Sequence, residues 1–154
     1  MSHLASTRAA IVAKLAALDI GVVHDHEPYA ASLPALQALY QDADSGRLNG
    51  WHVRRVATRE VATAIGRSVE TVVWRIRGYY ALAEAEGSEL AFDDQIEAIR
   101  DAFRDDPTLG GAVHDTAEGE RGPTGIQVED AGPVMFAGVL CHAATLSLTT
   151  MNAL

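Results

Sequence analysis

The stretch from Val72 to Gly111 constrains the fold more than any other part of this 154-residue chain. It reads as a strand, Val72 to Leu82, followed by Gly87-Ser88-Glu89 and an amphipathic helix from Phe92 to Phe103. Period-2 alternation puts Val72, Trp74, Ile76, Tyr80 and Leu82 on one strand face, with Arg75 and Arg77 on the other. In the helix, Phe92, Ile96, Ile99 and Phe103 recur at steps of four, three and four, which makes a single apolar stripe. The helix ends at Asp106-Pro107-Thr108-Leu109-Gly110-Gly111, where glycine after the last periodic residue is C-terminal turn chemistry rather than a phosphate cradle. A unit of this kind buries one helix against one sheet. It contains no nucleophile, histidine pair or phosphate loop and reads as scaffold.

The rest of the chain supplies further elements of the same sheet. Leu4, Ile11, Leu15 and Leu18 predict a first helix over about residues 4 to 18, capped by Ser2 or near Ser6. Residues 21 to 27 read as the beginning of a strand, broken at Pro28, and Leu33 to Tyr40 fits helix and strand alike. Asp42 to Gly50 is a turn by composition. Trp51 to Thr63 alternates imperfectly and predicts a long strand with a bulge, joined through Ile65-Gly66-Arg67 to the Trp74 strand. Ala117 to Pro123 is a polar loop. A short strand is expected at Ile126 to Val128, a turn at Asp130-Ala131-Gly132-Pro133, and a long strand from Val134 to Thr150. The expected fold is a single α+β domain over residues 1–154, a mainly antiparallel sheet with two helices packed on one side. The Trp74 strand and the Leu140–Leu148 strand each offer an alternating apolar face for those helices.

Several short segments resemble the tail terminator, or tail completion, proteins of long-tailed bacteriophages. They are Gly78-Tyr79-Tyr80, the helix start Ser88-Glu89-Leu90-Ala91-Phe92, the stop Asp106 to Gly111, and Phe136-Ala137-Gly138-Val139-Leu140-Cys141-His142 leading into a Thr/Leu-rich last strand. With the N-terminal helix, the similarity in element order covers nearly the whole chain. The resemblance implies a structural virion protein, not an enzyme, that forms a six-membered homo-oligomeric ring. That ring would sit on the head-proximal end of the tail after assembly in the host cytoplasm. Its partners would be the major tail tube protein below and a head-side connector or neck protein above. Its action would be steric: it covers the polymerising edge of the last tube ring and offers a new surface to the head.

Composition and charge are compatible with this. An apolar share of 48% with 21% charged residues is that of a folded chain rather than a disordered one. No apolar run approaches the roughly 20 residues needed to span a bilayer, and Asp19 with the helical spacing of the first leucines argues against a signal peptide. The single cysteine, Cys141, excludes an internal disulfide framework and suits a reducing compartment. Charge is segregated. Residues 47 to 77 carry seven arginines against Glu60 and Glu70, a balance of +5, whereas residues 84 to 130 carry 14 carboxylates against three arginines, a balance of −11. Either sheet and helix neutralise each other within one subunit, or the basic face of one subunit meets the acidic helix of the next. A head-to-tail contact of the second kind closes into a ring when the rotation permits. The expected interface residues are Arg54, Arg55, Arg59, Arg75 and Arg77 against Asp94, Glu97 and Asp101.

Other chemistry is sparse. A net charge of −9 opposes specific nucleic-acid binding, although an acidic ring would let DNA cross without adsorbing. His24 and His26 form an H-x-H that could hold zinc, but no further ligand lies at the usual spacing, so a plain surface pair is expected. His142 and Cys141 are adjacent on a strand and face opposite sides, so they cannot form a dyad. Cys141 is expected to be a small buried residue, and His142 a satisfied core or interface histidine. Asp93 and Asp94 are expected to complement the helix dipole. No Ser-His-Asp, P-loop or dinucleotide fingerprint appears, so no catalytic residue, cofactor or metal is expected. The alternatives are another neck or head–tail joining protein, and a small cytoplasmic α+β enzyme or binding domain.

Overall fold

The computed structural model describes residues 2–154. Helix α1 (His3–Ala16) begins at Ser2, whose hydroxyl accepts the Ala5 N–H. It is followed by β1 (Val22–His24) and a short α2 (Leu33–Ala38), in which Ser32 caps and Pro34 occupies the first turn. The long strands β2 (Asn49–Ala64) and β3 (Arg67–Ala81) form a hairpin. A 3-10 turn at Glu84–Glu86 leads into α3 (Ser88–Arg104), and β4 (Gln127–Phe136) with β5 (Val139–Ala153) completes the chain. The five strands lie in the order β1-β2-β3-β5-β4. Only the β1–β2 pair is parallel. The class is α+β with a mostly antiparallel sheet, and α1 and α3 share one side of it.

The core between helices and sheet is the one implied by the two periodicities. Ile11 and Leu15 from α1 and Phe92, Ile96, Ile99 and Phe103 from α3 bury against Trp51, Val53, Val72, Trp74, Ile76, Leu146 and Leu148. The buried Trp74 indole donates to Thr150 Oγ1 at 3.0 Å, so its polar edge is satisfied. At the centre, Trp51 lies directly opposite Gly78 and stacks on Phe92. A Cβ at Gly78 would come within 2.5 Å of the indole, so only glycine lets this ring lie flat against the neighbouring strand. Helix α3 ends at Arg104 with Asp105 in a right-handed conformation, so Gly110 and Gly111 are not its cap but part of the following turn. In that turn Asp106 accepts the Gly110 N–H at 3.0 Å and pairs with Lys14 of α1 at 3.0 Å. Leu109 takes a positive φ of 51° and is buried.

Some expectations are corrected. The last hairpin turns at Ala137-Gly138, both with positive φ, and not at Asp130–Pro133. Pro133 sits inside β4, which it can do because β4 is an edge strand and the missing N–H would point outward. The extra residue near Glu129 is absorbed as a register shift between Val128 and Asp130. Ile126 is buried but precedes β4. Leu82 lies beyond the end of β3 and is exposed, and Leu140 is half exposed because α3 does not extend over the turn. Asp93 and Asp94 fall in the second turn of α3. Glu89 is the acidic residue of the first turn, where the dipole acts. The ambiguous segment ends up on the opposite side of the sheet. There Tyr40 packs with Leu48, Tyr79, Cys141 and Ala143 into a second, smaller cluster that single-face alternation did not anticipate.

Replacing Ile99 or Phe103 with Ala is expected to cost on the order of 2–5 kcal/mol, as both are fully buried large-to-small changes. Gly78→Ala is expected to cost about 1–3 kcal/mol by forcing Trp51 away from β3. Chemical denaturation of the three variants checks both, and unchanged midpoints would mean that α3 and Trp51 are not docked as described.

Candidate functional site

His24, His26 and His142 each have a hydrogen-bond partner, and Cys141 is buried. His24 and His26 have ring centres 6.5 Å apart, yet His24 Nε2 donates to the Leu39 carbonyl at 2.6 Å and His26 to the Asp25 carboxylate at 2.6 Å. That bond from His26 holds Asp25 below the usual carboxylate range. Among the described residues, no group of three or more His, Cys, Asp or Glu side chains is placed to hold a metal ion. Cys141 is buried in the second cluster, and burial pushes its thiol up, away from the reactive thiolate. His142 faces the other way, stacked on Phe92, with Nε2 2.8 Å from Ser88 Oγ. Ser88 in turn accepts the Ala83 N–H at 2.9 Å and is itself buried. This Ser–His contact escaped the sequence reading because 54 residues separate its members. The only signal was His142 sharing strand parity with Leu146. With its hydroxyl engaged on both sides, Ser88 clamps the start of α3 to the sheet.

The second buried polar contact joins Tyr40 and His52, with Tyr40 Oη 2.9 Å from His52 Nδ1. Burial raises the Tyr40 phenol and lowers His52 to about 4, so the imidazole is neutral at pH 7. Edge-on rings of His24, Tyr79 and Phe136 surround Tyr40.

The charged residues expected at an interface divide between the two sides of the sheet. The pairings Arg54 with Arg75, Arg59 with Thr71, and Arg77 with Thr145 put Arg54, Arg59, Arg75 and Arg77 on the face turned away from α1 and α3. Arg55 lies opposite Trp74 and faces the helix side. Arg54 pairs with Glu27 at 2.8 Å, and Arg77 is half buried, donating to Tyr79 Oη and Thr145 Oγ1. Arg55, Arg59 and Arg75 make no ion pair among the described residues. On the solvent side of α3, Glu97 pairs with Arg100 at 3.0 Å and Asp101 with Arg104 at 2.6 Å, which leaves Asp94 unpaired. No arginine of the sheet pairs with an α3 carboxylate among the described residues. The sheet separates Arg54, Arg59, Arg75 and Arg77 from α3 but not Arg55, and Arg47 pairs with Glu86 at 2.6 Å, so the basic and acidic segments neutralise each other only in part within one chain.

The geometry of β2 adds a second open surface. Strand β1 covers β2 only from Gly50 to His52. Beyond that point the outer edge of β2 has no neighbouring strand among the described residues, and it is exposed from Arg54 to Ala64. Two register shifts, at Arg55/Ala57 and Ala62/Ala64, interrupt this edge, and Arg54, Arg55 and Arg59 decorate it. Bulges and charge are the usual guards of an unpaired edge. No helix is long and apolar enough to cross a membrane among the described residues.

A scan against protein-family models finds no match, and a search of curated proteins finds none either.

Because His52 is less basic in the folded state than in the unfolded chain, its contribution is fully present above about pH 6.5. It is lost as pH falls toward 4, where only the unfolded form takes up the proton. Thermal melts between pH 7 and 4 are expected to show falling stability. The fall should be shallower in His52→Gln, and identical pH slopes would exclude His52 as a source of it.

Proposed function

We propose that this chain is a structural, non-enzymatic virion protein, a tail terminator that forms a ring by head-to-tail contact and caps the tail tube. The observation that carries the reading is unpartnered charge of opposite sign on opposite surfaces: Arg59 and Arg75 on the open sheet face, Asp94 on the outer side of α3. A subunit cannot bring these together within itself, whereas a repeated heterologous contact can, and such a contact closes into a ring when the rotation permits. The resemblance of Gly78-Tyr79-Tyr80, of the Asp106–Gly111 stop and of the Phe136–His142 hairpin to tail terminators supplies the rest of the argument. In this reading the ring has six members, its partners are the tail tube protein and a head-side neck protein, and its place is the head-proximal end of the tail. Its action is to cover the growing edge of the tube. Of the interface residues expected from charge alone, Arg55, Arg59, Arg75 and Asp94 remain available, while Arg54, Arg77, Glu97 and Asp101 have partners in their own subunit.

Exposed ion pairs are worth only about 0–1 kcal/mol each, but a ring repeats each at every interface. Arg59→Glu with Arg75→Glu is therefore expected to shift the solution mass from ring toward monomer and to lengthen assembled tails. Arg77 is spared because it is anchored within the sheet. Folded variants that still form rings and tails of normal length would remove the electrostatic basis of the reading.

A further inference from the structure

The two ends of β3 carry complementary features that one subunit cannot join. At one end is the tip of the β2–β3 hairpin. Ile65 there is fully exposed, Val61 is half exposed, and Arg67 is exposed with no ion pair among the described residues. An isoleucine this exposed at the end of an arm has no role in the fold of its own chain.

At the other end, between the start of α3 and the β4 edge, lies a groove of about 530 Å³. The side chains of Leu82 and Leu90 stand exposed around it, and Ala131, Gly132 and Pro133 form its small-residue wall on β4. Glu84, Glu89 and Asp93 line it as well, and none of them makes an ion pair among the described residues. The groove thus combines apolar side chains, the Ser88–His142 pair and three carboxylates, and the tip offers an apolar side chain beside a cation. The β4 wall is paired through β5 to the last turns of β3 near Tyr80, while the tip lies at Arg67. At about 3.3 Å per residue the two are roughly 45 Å apart along β3. A subunit's own tip cannot reach its own groove.

We propose that the hairpin tip of one copy of this chain, Ile65 and Arg67, docks into the groove of the next copy, between Leu82 and Leu90 and against Glu84, Glu89 and Asp93. The contact is heterologous, so each subunit gives one tip and offers one groove, and the assembly closes as a ring or runs on as a filament. This rests on the oligomeric reading above and specifies its interface. It differs from the sheet-face contact through Arg59 and Arg75 in using neither of those residues.

The test uses two full-length variants, a tip variant (Ile65→Asp with Arg67→Glu) and a groove variant (Glu84→Lys with Glu89→Lys). The four substituted residues are exposed, and circular dichroism should match the wild type, with only a small fall in melting temperature in the groove variant, where Lys at position 89 opposes the α3 dipole. Each variant alone is expected to run as a monomer by light scattering. Mixed, they should give a dimer that cannot grow, since only the tip of the groove variant and the groove of the tip variant remain intact. A second measurement does not depend on loss of assembly: Ile65→Cys with Leu90→Cys should form intersubunit disulfides on oxidation, with Cys141 buried and silent. Either charge variant assembling like the wild type, or no intersubunit disulfide in the cysteine variant, overturns the tip-in-groove contact and leaves the ring reading intact. A wild-type chain that stays monomeric at every concentration overturns both.

Discussion

The stacking of Trp51 between Gly78 and Phe92 is the contact on which the rest of the fold depends. It brings β2, β3 and α3 to one point, and it exists because β3 has no side chain there. One residue along the register the arrangement repeats on the other side of the sheet. Gly50 lies opposite Tyr79, and a Cβ at Gly50 would come within 2.9 Å of the Tyr40 ring. Two neighbouring strands therefore each give up a side chain so that an aromatic ring can cover the gap, once on each face. The sheet is buried on both sides only around this point, which anchors the helical core and the Tyr40 cluster to the same pair of strands.

Everything beyond that anchor is less supported. The outer half of the β2–β3 hairpin has solvent on one edge and carries exposed Val56, Val61 and Ile65. Its bulges and arginines keep the edge from pairing indiscriminately, and its length carries the tip far from the groove at the other end of β3. An arm of this kind is what the proposed tip-in-groove contact between copies requires.

The polar contacts of the interior tie secondary structure together. Ser88 and His142 tie the start of α3 to β5, Lys14 and Asp106 tie its end to α1, and Tyr40 with His52 closes the opposite face. The first and last of these links fasten a helix start and a loop to the sheet, the Lys14–Asp106 pair joins α1 to the turn after α3, and the Ser88 hydroxyl contacts both Ala83 and His142.

Amphipathic spacing by itself determined a good part of this protein. The α3 stripe, the Val72–Ile76 and Leu146–Leu148 faces and the Ser2 cap follow from local periodicity and capping chemistry, and so does the α+β class, whereas α3 ends at Arg104 and Gly110-Gly111 belong to the turn beyond it. Local pattern failed where a residue's neighbour came from far along the chain. Pro133 looked like a turn because nothing local says that β4 is an edge, and Leu33 to Tyr40 stayed ambiguous because only Tyr40 in it is buried, against Tyr79 and Phe136 from far along the chain. The Ser88–His142 contact, the second cluster and the division of the arginines between two faces belong to the same class. Strand order and register decide them, since a one-residue change of register exchanges the two faces of a strand. Charge segregation was legible from residue counts, but which charges remain unpaired was decided only when the fold brought Glu27 to Arg54 and left Arg59, Arg75 and Asp94 without partners.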